Sequence, residues 1–262
     1  VSGPLVEPIP GHPAAVARTS RRGFPERSLV VADYHAGIEA GLRYERGVEL
    51  PSKAAVRRER LLSLLDRTDA DRLVVLGDLG HRIGDPDGDE AEELRGFAAA
   101  VADRAELTVV PGNHDGGLAD FFGDDDDVEV TDPAGVRLGD VGFCHGHTWP
   151  SREVLAADVV CSAHEHPAVR LEDEVGGARK ERVWLRGALA PEVFAEHHEV
   201  APAEVARADA ELVVFPAFND TSGGTWVNVP GQGFLSPFLP GGLADGEAYL
   251  LDGTRLGDYR NV

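Results

Sequence analysis

From Ser28 onward the chain alternates short, β-branched apolar runs with stretches whose apolar residues recur at helical spacing. SLVVAD, RLVVLGD and LTVVPGNHD are runs of strand length that end in polar groups. Between the first two, Ala55, Val56, Leu61, Leu62 and Leu65 stand among charged residues at roughly helical spacing and predict a helix over 52–65; a second is predicted over 90–104. Strand, helix, strand, helix, strand implies right-handed crossovers and a parallel sheet covered by helices. After Asp115 the texture changes to short strands at close intervals: VEV, GVRL, VGFCHG, DVVCSAH, AVRLED, RVWLRG, ELVVFPAF and EAYLLDG. That half reads as more antiparallel, with a helical or irregular stretch near 191–210. Residues 1–27, rich in Pro, Gly and Arg, read as a loosely structured lead-in with room for one strand. The expectation is one α/β domain over 1–262, with a catalytic core over 28–190 and a Gly- and Pro-rich extension over 191–262 packed on it.

Composition changes this picture in two ways. Hydrophobic residues make up 42% of the 262 residues, which excludes wholesale disorder. No stretch approaches the roughly 18 consecutive apolar residues of a membrane helix, and no secretory signal opens the sequence, so a cytoplasmic protein without a membrane partner is expected. Asp and Glu number 46 against 25 Lys and Arg, for a net charge of −21. Lys53 and Lys180 are the only lysines. Abundant carboxylate with scarce lysine resembles proteins adapted to molar salt, where the Debye length falls to about 3 Å and self-repulsion is screened. Net acidity argues against a nucleic-acid partner in dilute buffer, but at molar salt counterion release contributes little, so the charge leaves the substrate open. Cys144 and Cys161 lie in apolar runs and read as small core residues rather than a disulfide framework. The aspartate run 124–127 lacks EF-hand spacing and reads as a solvated turn.

The chemistry gathers where the apolar runs stop. VADYH supplies Asp33 and His35, two apart and so on one side of an extended strand; VLGDLGH supplies Asp78 and His81. VVPGNHD supplies Asn113, His114 and Asp115, FCHGH supplies His145 and His147, and SAHEH supplies His164 and His166. Each piece alone is ordinary: an Asp-x-His pair recurs by chance, Asn113 could be a turn residue, and Asp78 could close a tight loop. Together they collect seven of the ten histidines at five strand ends. In open α/β sheets, ligands bind beyond the carboxyl ends of strands.

In this order DYH, GDLGH, GNHD, CHGH and AHEH resemble the five motifs of the calcineurin-like metallophosphoesterase superfamily, over about Val31 to Pro167. Ala163 stands where the last motif usually has Gly. The segment VVADYHAGIEAGLRYERG is more loosely similar to archaeal proteins related to the double-strand-break repair exonucleases. The resemblance implies a two-sheet α/β sandwich and two divalent metal ions. One would be held by Asp33, His35, Asp78 and His166, the other by Asp78, Asn113, His145 and His164, with Asp78 bridging. Imidazoles mixed with hard oxygens suit Mn²⁺, Fe or Zn²⁺ better than Mg²⁺, and Mn²⁺ is the expected assay metal. Two cations lower the pKa of water from 15.7 toward about 7 and so supply hydroxide at neutral pH for attack on phosphorus. The resemblance implies that His114, as an imidazolium, donates to the leaving group or a phosphoryl oxygen, with Asp115 orienting or charge-stabilising it. His81 and His147 are candidates for substrate contact or for a surface role. Arg43 and Arg46 could clamp a phosphate, or simply solvate a helix face. His197, His198 and His12 carry no expected role.

Three functions follow from different substrates or from none: a nuclease or phosphodiesterase acting on DNA or RNA, a phosphodiesterase or phosphatase acting on small nucleotides, and a metal-binding scaffold without catalysis. Such scaffolds usually lose the histidine that corresponds to His114, which is present here.

Overall fold

The computed structural model describes residues 3–123, 125–172 and 176–262. Val1, Asp124 of the aspartate run and Asp173 at the end of the expected AVRLED strand lie outside them. Six strands form the first sheet: β1 (Val6–Pro8), β2 (Ala14–Arg21), β3 (Phe24–Ala32), β4 (Arg72–Leu76), β5 (Glu106–Val110) and β6 (Val128–Val130), in that spatial order. The last four run parallel, as the strand–helix alternation predicts. The second sheet contains β7 (Val136–Leu138), β8 (Val141–Phe143), β9 (Val159–Ser162), β11 (Ala178–Leu189), β12 (Glu211–Val214), β13 (Leu243–Leu250) and β14 (Arg255–Asp258), with β10 (Ala168–Glu172) paired to β11. Its β8–β9 and β9–β12 pairs are parallel and the remaining pairs antiparallel. The helices are α1 (Ile38–Arg46), α2 (Ala54–Thr68), α3 (Gly88–Ala102), α4 (Leu118–Phe121), α5 (Arg152–Leu155), α6 (Pro191–His198) and α7 (Pro202–Val205). Among the described residues, no helix is long and apolar enough to cross a membrane.

The two sheets pack face to face. Val30, Val74 and Val110 of the first meet Phe143, Cys161 and Phe215 in one buried cluster. The outer face of the first sheet buries Val31, Val75 and Val109 against Leu61, Leu64 and Phe97 of α2 and α3. The alternation along β3, β4 and β5 therefore feeds two different cores, which is why these runs are apolar throughout.

Two expectations are corrected. The expected loose lead-in contains two strands, Val6–Pro8 and Ala14–Arg21, and β2 and β3 form a long antiparallel hairpin. Its turn is Arg22–Gly23, both at positive φ (50° and 83°), as the right-handed twist of a two-residue hairpin requires. Arginine in the first of those positions, and alanines in the strand (Ala14, Ala15, Ala17), gave no β signal; Ala15 and Ala17 are buried between the two sheets and Ala14 in the helix-covered core. On α2 the buried stripe is Arg57, Leu61, Leu64 and Leu65, whereas Val56 is 67% exposed. The stripe begins with a charge, so an apolar pattern alone misplaces it.

Arg57 is 5% exposed and pairs with two buried carboxylates, Glu39 of α1 at 3.1 Å and Glu93 of α3 at 2.8 Å. Glu93 also accepts the N–H of Gly37 at 2.8 Å, so the triad ties three helices to the loop that follows β3. Removing one member of a buried ion cluster leaves uncompensated charge. Arg57→Met is expected to cost about 3–5 kcal/mol in urea unfolding. Arg57→Met with Glu39→Gln and Glu93→Gln together should recover most of that loss.

Candidate metal centre

Each apolar strand hands its chain to the same end of the sandwich. β3 runs into Asp33 and His35, β4 into Asp78, β5 into 112–115, β8 into His145 and β9 into His164 and His166. Asp33, His35, Asp78, His164 and His166 all have left-handed backbone, at φ 53°, 53°, 48°, 71° and 45°. The pairs Asp33/His35 and His164/His166 are thus brought together by left-handed turns, not by the pleat of an extended strand. Asp and His tolerate this region better than most residues, and backbone strain of this kind clusters at functional sites. Between the first pair Tyr34 points the other way, fully buried against Phe97 and Phe218, with ring centroids 4.7 and 6.1 Å away. Close packing does the rest: a Cβ on Gly112 would run into the Asp78 carboxylate.

Two sets of side chains converge. Asp33, His35, Asp78 and His166 offer ligand atoms within 4.8 Å of one another, as do Asp78, His145 and His164, so Asp78 belongs to both. His145 Nδ1 donates to the Leu76 carbonyl at 3.0 Å, and His166 Nδ1 donates to the Gly223 carbonyl at 3.1 Å. Those bonds fix the tautomers and leave the Nε2 lone pairs facing carboxylates: His145 Nε2 lies 3.6 Å from Asp78 Oδ2, and His166 Nε2 lies 3.2 Å from Asp33 Oδ1. Both oxygens of the wholly buried Asp33, and Nε2 of His35, have no hydrogen-bond partner. Buried polar atoms are seldom left orphaned, and a divalent cation would satisfy all three. The donor set of two carboxylates and four imidazoles therefore fits the two ions that the motifs imply.

Electrostatics point the same way. Burial raises the pKa of Asp33, but the imidazoles of His166, His145 and His35 outweigh it and hold the carboxyl below its usual range. Burial opposes protonation of His166, yet Asp33 lifts its pKa to about 9. Burial first, and then neighbouring imidazoles, push His164 and His147 down to about 4. His35 falls well below its ordinary value, chiefly through burial. Neutral imidazoles at His35 and His164 beside an ionised Asp33 are the protonation states that metal binding demands, and the proton that Asp33 holds on His166 is one that a cation would displace.

The other expected residues fall into distinct places. His114 donates through Nδ1 to the His81 carbonyl, and its Nε2 stands 3.9 Å from Asp78 Oδ2. The His81 ring stacks on that of His114 at 5.6 Å between centroids and approaches His35, so His81 lines the site. His147 lies beside His145, with centroids 5.3 Å apart. Arg43 and Arg46 are exposed on the last turn of α1, whose Gly41 lies against His81. Asn113 is exposed next to His114 and makes no side-chain hydrogen bond to the described residues. Asp115 departs from expectation. Its buried carboxylate accepts the N–H groups of Leu79 (3.2 Å), Gly80 (3.0 Å) and Gly112 (2.9 Å), locking the loops after β4 and β5 together rather than bonding to His114. Burial and then Asp78 raise its pKa to about 6.

Several positioning residues carried no sequence signal. Glu90 of α3 accepts the N–H of His81 at 2.6 Å. Asn219, after β12, donates to the Tyr34 carbonyl at 3.1 Å, and its own N–H bonds the Asp33 carbonyl at 3.2 Å. Glu165, wholly buried between His164 and His166, accepts the N–H groups of Leu235 (2.9 Å) and Ser236 (2.6 Å). Glu165→Ala strands the buried Ser236 donor and the partly buried Leu235 donor and opens a void. It should cost about 2–4 kcal/mol in thermal or urea unfolding and weaken metal binding measured by titration calorimetry.

The profile of the family described as calcineurin-like phosphoesterase matches residues 27–175. No curated protein sequence matches the chain. Among solved structures, the nuclease MPE of Pseudomonas putida superposes with a TM-score of 0.51 at 19% identity, over 96% of this chain and 100% of that one. Yfce, a phosphoesterase from E. coli, is 22% identical over 56% of this chain and 73% of its own, with a TM-score of 0.35.

Proposed function

The chain belongs to the calcineurin-like phosphoesterase family, metal-dependent hydrolases of phosphoric esters, and from that premise we propose that it is a two-metal phosphodiesterase acting on nucleic acid. The observation that carries the two-metal reading is the sharing of Asp78 between two ligand clusters, one of which contains buried polar atoms without partners. Asp33, His35, Asp78 and His166 would hold one ion; Asp78, His145, His164 and the neighbouring Asn113 would hold the other. When bound, such a pair lowers the pKa of water toward about 7 and neutralises charge on the phosphoryl oxygens.

The protein's own groups do the remainder. His114, its Nδ1 committed to the His81 carbonyl, has Nε2 as the atom that gives a proton to the departing oxygen or binds a phosphoryl oxygen. His81 supports that ring by stacking, and Asp115 holds the loops that carry His114 and His81 at a fixed spacing. Nucleic acid is favoured as substrate by the likeness of the first motif to repair exonucleases and by a full-length structural neighbour that is a nuclease.

The test is hydrolysis of bis-p-nitrophenyl phosphate with Mn²⁺ in molar KCl, the salt suited to a lysine-poor surface of net charge −21. Turnover above that of a His114→Ala control is expected. Single- and double-stranded DNA, RNA and cyclic nucleotides compared in the same buffer decide the substrate. Turnover of small diesters alone would overturn the nuclease reading.

A further inference from the structure

A cavity of about 350 Å³ adjoins the metal centre, with His166 in its wall and Lys180, Arg182, Asn219 and Gly223 among its lining. Lys180 is one of two lysines in a chain of net charge −21. It projects from β11 toward the backbone that holds His166. Gly223 accepts the Nδ1–H of His166, and a Cβ added to the next residue, Gly224, would stand 3.3 Å from Lys180 Nζ. The ammonium also sits 5.6 Å from the centroid of Trp226, which restricts where it can swing.

The lining holds two cations, Lys180 and Arg182, and two carboxylates, Glu181 and Asp220, both of which are drawn to arginines. Among the described residues, no carboxylate pairs with Lys180. Arg182 pairs with Asp220 at 3.0 Å, but Asp220 is shared with Arg60, also at 3.0 Å. The remaining acidic lining residue, Glu181, is turned to Arg179 at 3.4 Å. The pKa values of Lys180 and Arg182 are both lowered, by burial first, and Arg182 is the next cause for Lys180. A salt-screened acidic surface does not require an unpaired ammonium to stand beside an arginine and a metal-binding imidazole. An anion would relieve their repulsion.

We propose that this cavity is a subsite for the phosphate that flanks the scissile diester along a polynucleotide, with Lys180 as its charge partner and Arg182 reinforcing the field. The proposal rests on the nuclease reading. A substrate with one phosphate cannot use the subsite, so occupancy of it separates polynucleotides from single diesters. An ammonium–phosphate contact is a charge-assisted hydrogen bond, and its loss should weaken binding on the order of tenfold.

The experiment measures binding rather than turnover. In a His114→Ala background loaded with Mn²⁺, at fixed KCl, dissociation constants are determined for trithymidylate and for the same trinucleotide with one or the other phosphate replaced by methylphosphonate. With Lys180 present, one of the two replacements should weaken binding about tenfold. Lys180→Gln should weaken binding of the unmodified trinucleotide by a similar factor and abolish the effect of that replacement. Lys180→Arg should restore most of the affinity. A Lys180→Gln constant equal to that of the parent, a methylphosphonate effect that persists undiminished in Lys180→Gln, or no trinucleotide binding at all would overturn the subsite. Hydrolysis of bis-p-nitrophenyl phosphate by the unsubstituted chain is read separately. Its presence without the coupling sinks the subsite and leaves the phosphodiesterase standing; its absence with the coupling intact sinks the phosphodiesterase alone.

Discussion

Asp78→Asn is expected to bind neither ion stably and to lose phosphodiesterase activity by roughly 10²–10³ or more, the scale on which removing one well-placed charge-stabilising group acts. The choice of Asn is deliberate. Residue 78 sits at φ 48°, where Asn is nearly as comfortable as Asp, so the backbone turn should survive the change. The carboxylate is 3% exposed, faces the imidazoles of His35, His114 and His145 at 3.6–3.9 Å, and accepts the N–H of His114 at 3.0 Å. An amide keeps the acceptor for that N–H but removes the one negative charge common to both ligand sets. His166→Ala, by contrast, touches one set and should lose mainly one ion. Elemental analysis after desalting reads the difference. Metal content in Asp78→Asn equal to that of the unsubstituted protein would show that this carboxylate does not bridge.

His114→Ala is expected to do the reverse: metal content stays and turnover falls. Its Nε2 is 3.9 Å from the nearest Asp78 oxygen, it belongs to neither ligand cluster, and its other nitrogen is tied to the backbone. A group placed in this way acts by giving or holding a proton. Loss of such a group costs about 10²–10⁴ in kcat with much less effect on KM. Loss of metal in step with loss of activity would instead make His114 a ligand.

Both expectations draw on residues that the sequence displays openly, because the strand ends and the ligand types coincide. The parallel order of β3, β4 and β5 was legible for the same reason: three apolar runs alternate with two helical stretches. What stayed hidden is what acts across long sequence separations. Asn219 bonds the Tyr34 carbonyl 185 residues away, Glu165 holds a loop 70 residues on, and Glu90 reaches back to His81 from a helix. None of these has a local pattern, since an isolated buried carboxylate in a sequence looks like any solvated one. The hairpin of β2 and β3 was obscured by alanines whose burial follows from the layers packed on the two faces of their sheet. Asp115 shows the opposite case. The resemblance implies that it orients or charge-stabilises His114, and the turn aims its carboxylate at three backbone N–H groups.

The acidic, lysine-poor composition takes on a narrower meaning in the folded protein. Charge is spread over the surface, yet Lys180 and Arg182 stand together beside His166, and Arg57 lies buried among carboxylates that bind helices.

The central claim, a phosphodiesterase that needs two ions sharing one carboxylate, is tested most directly by stripping the protein of metal with a chelator and titrating Mn²⁺ back while following bis-p-nitrophenyl phosphate hydrolysis. Turnover that is absent in the stripped protein and rises to a plateau at two equivalents per chain is the predicted result. Hydrolysis indifferent to the chelator, or a plateau at a single equivalent, would contradict it.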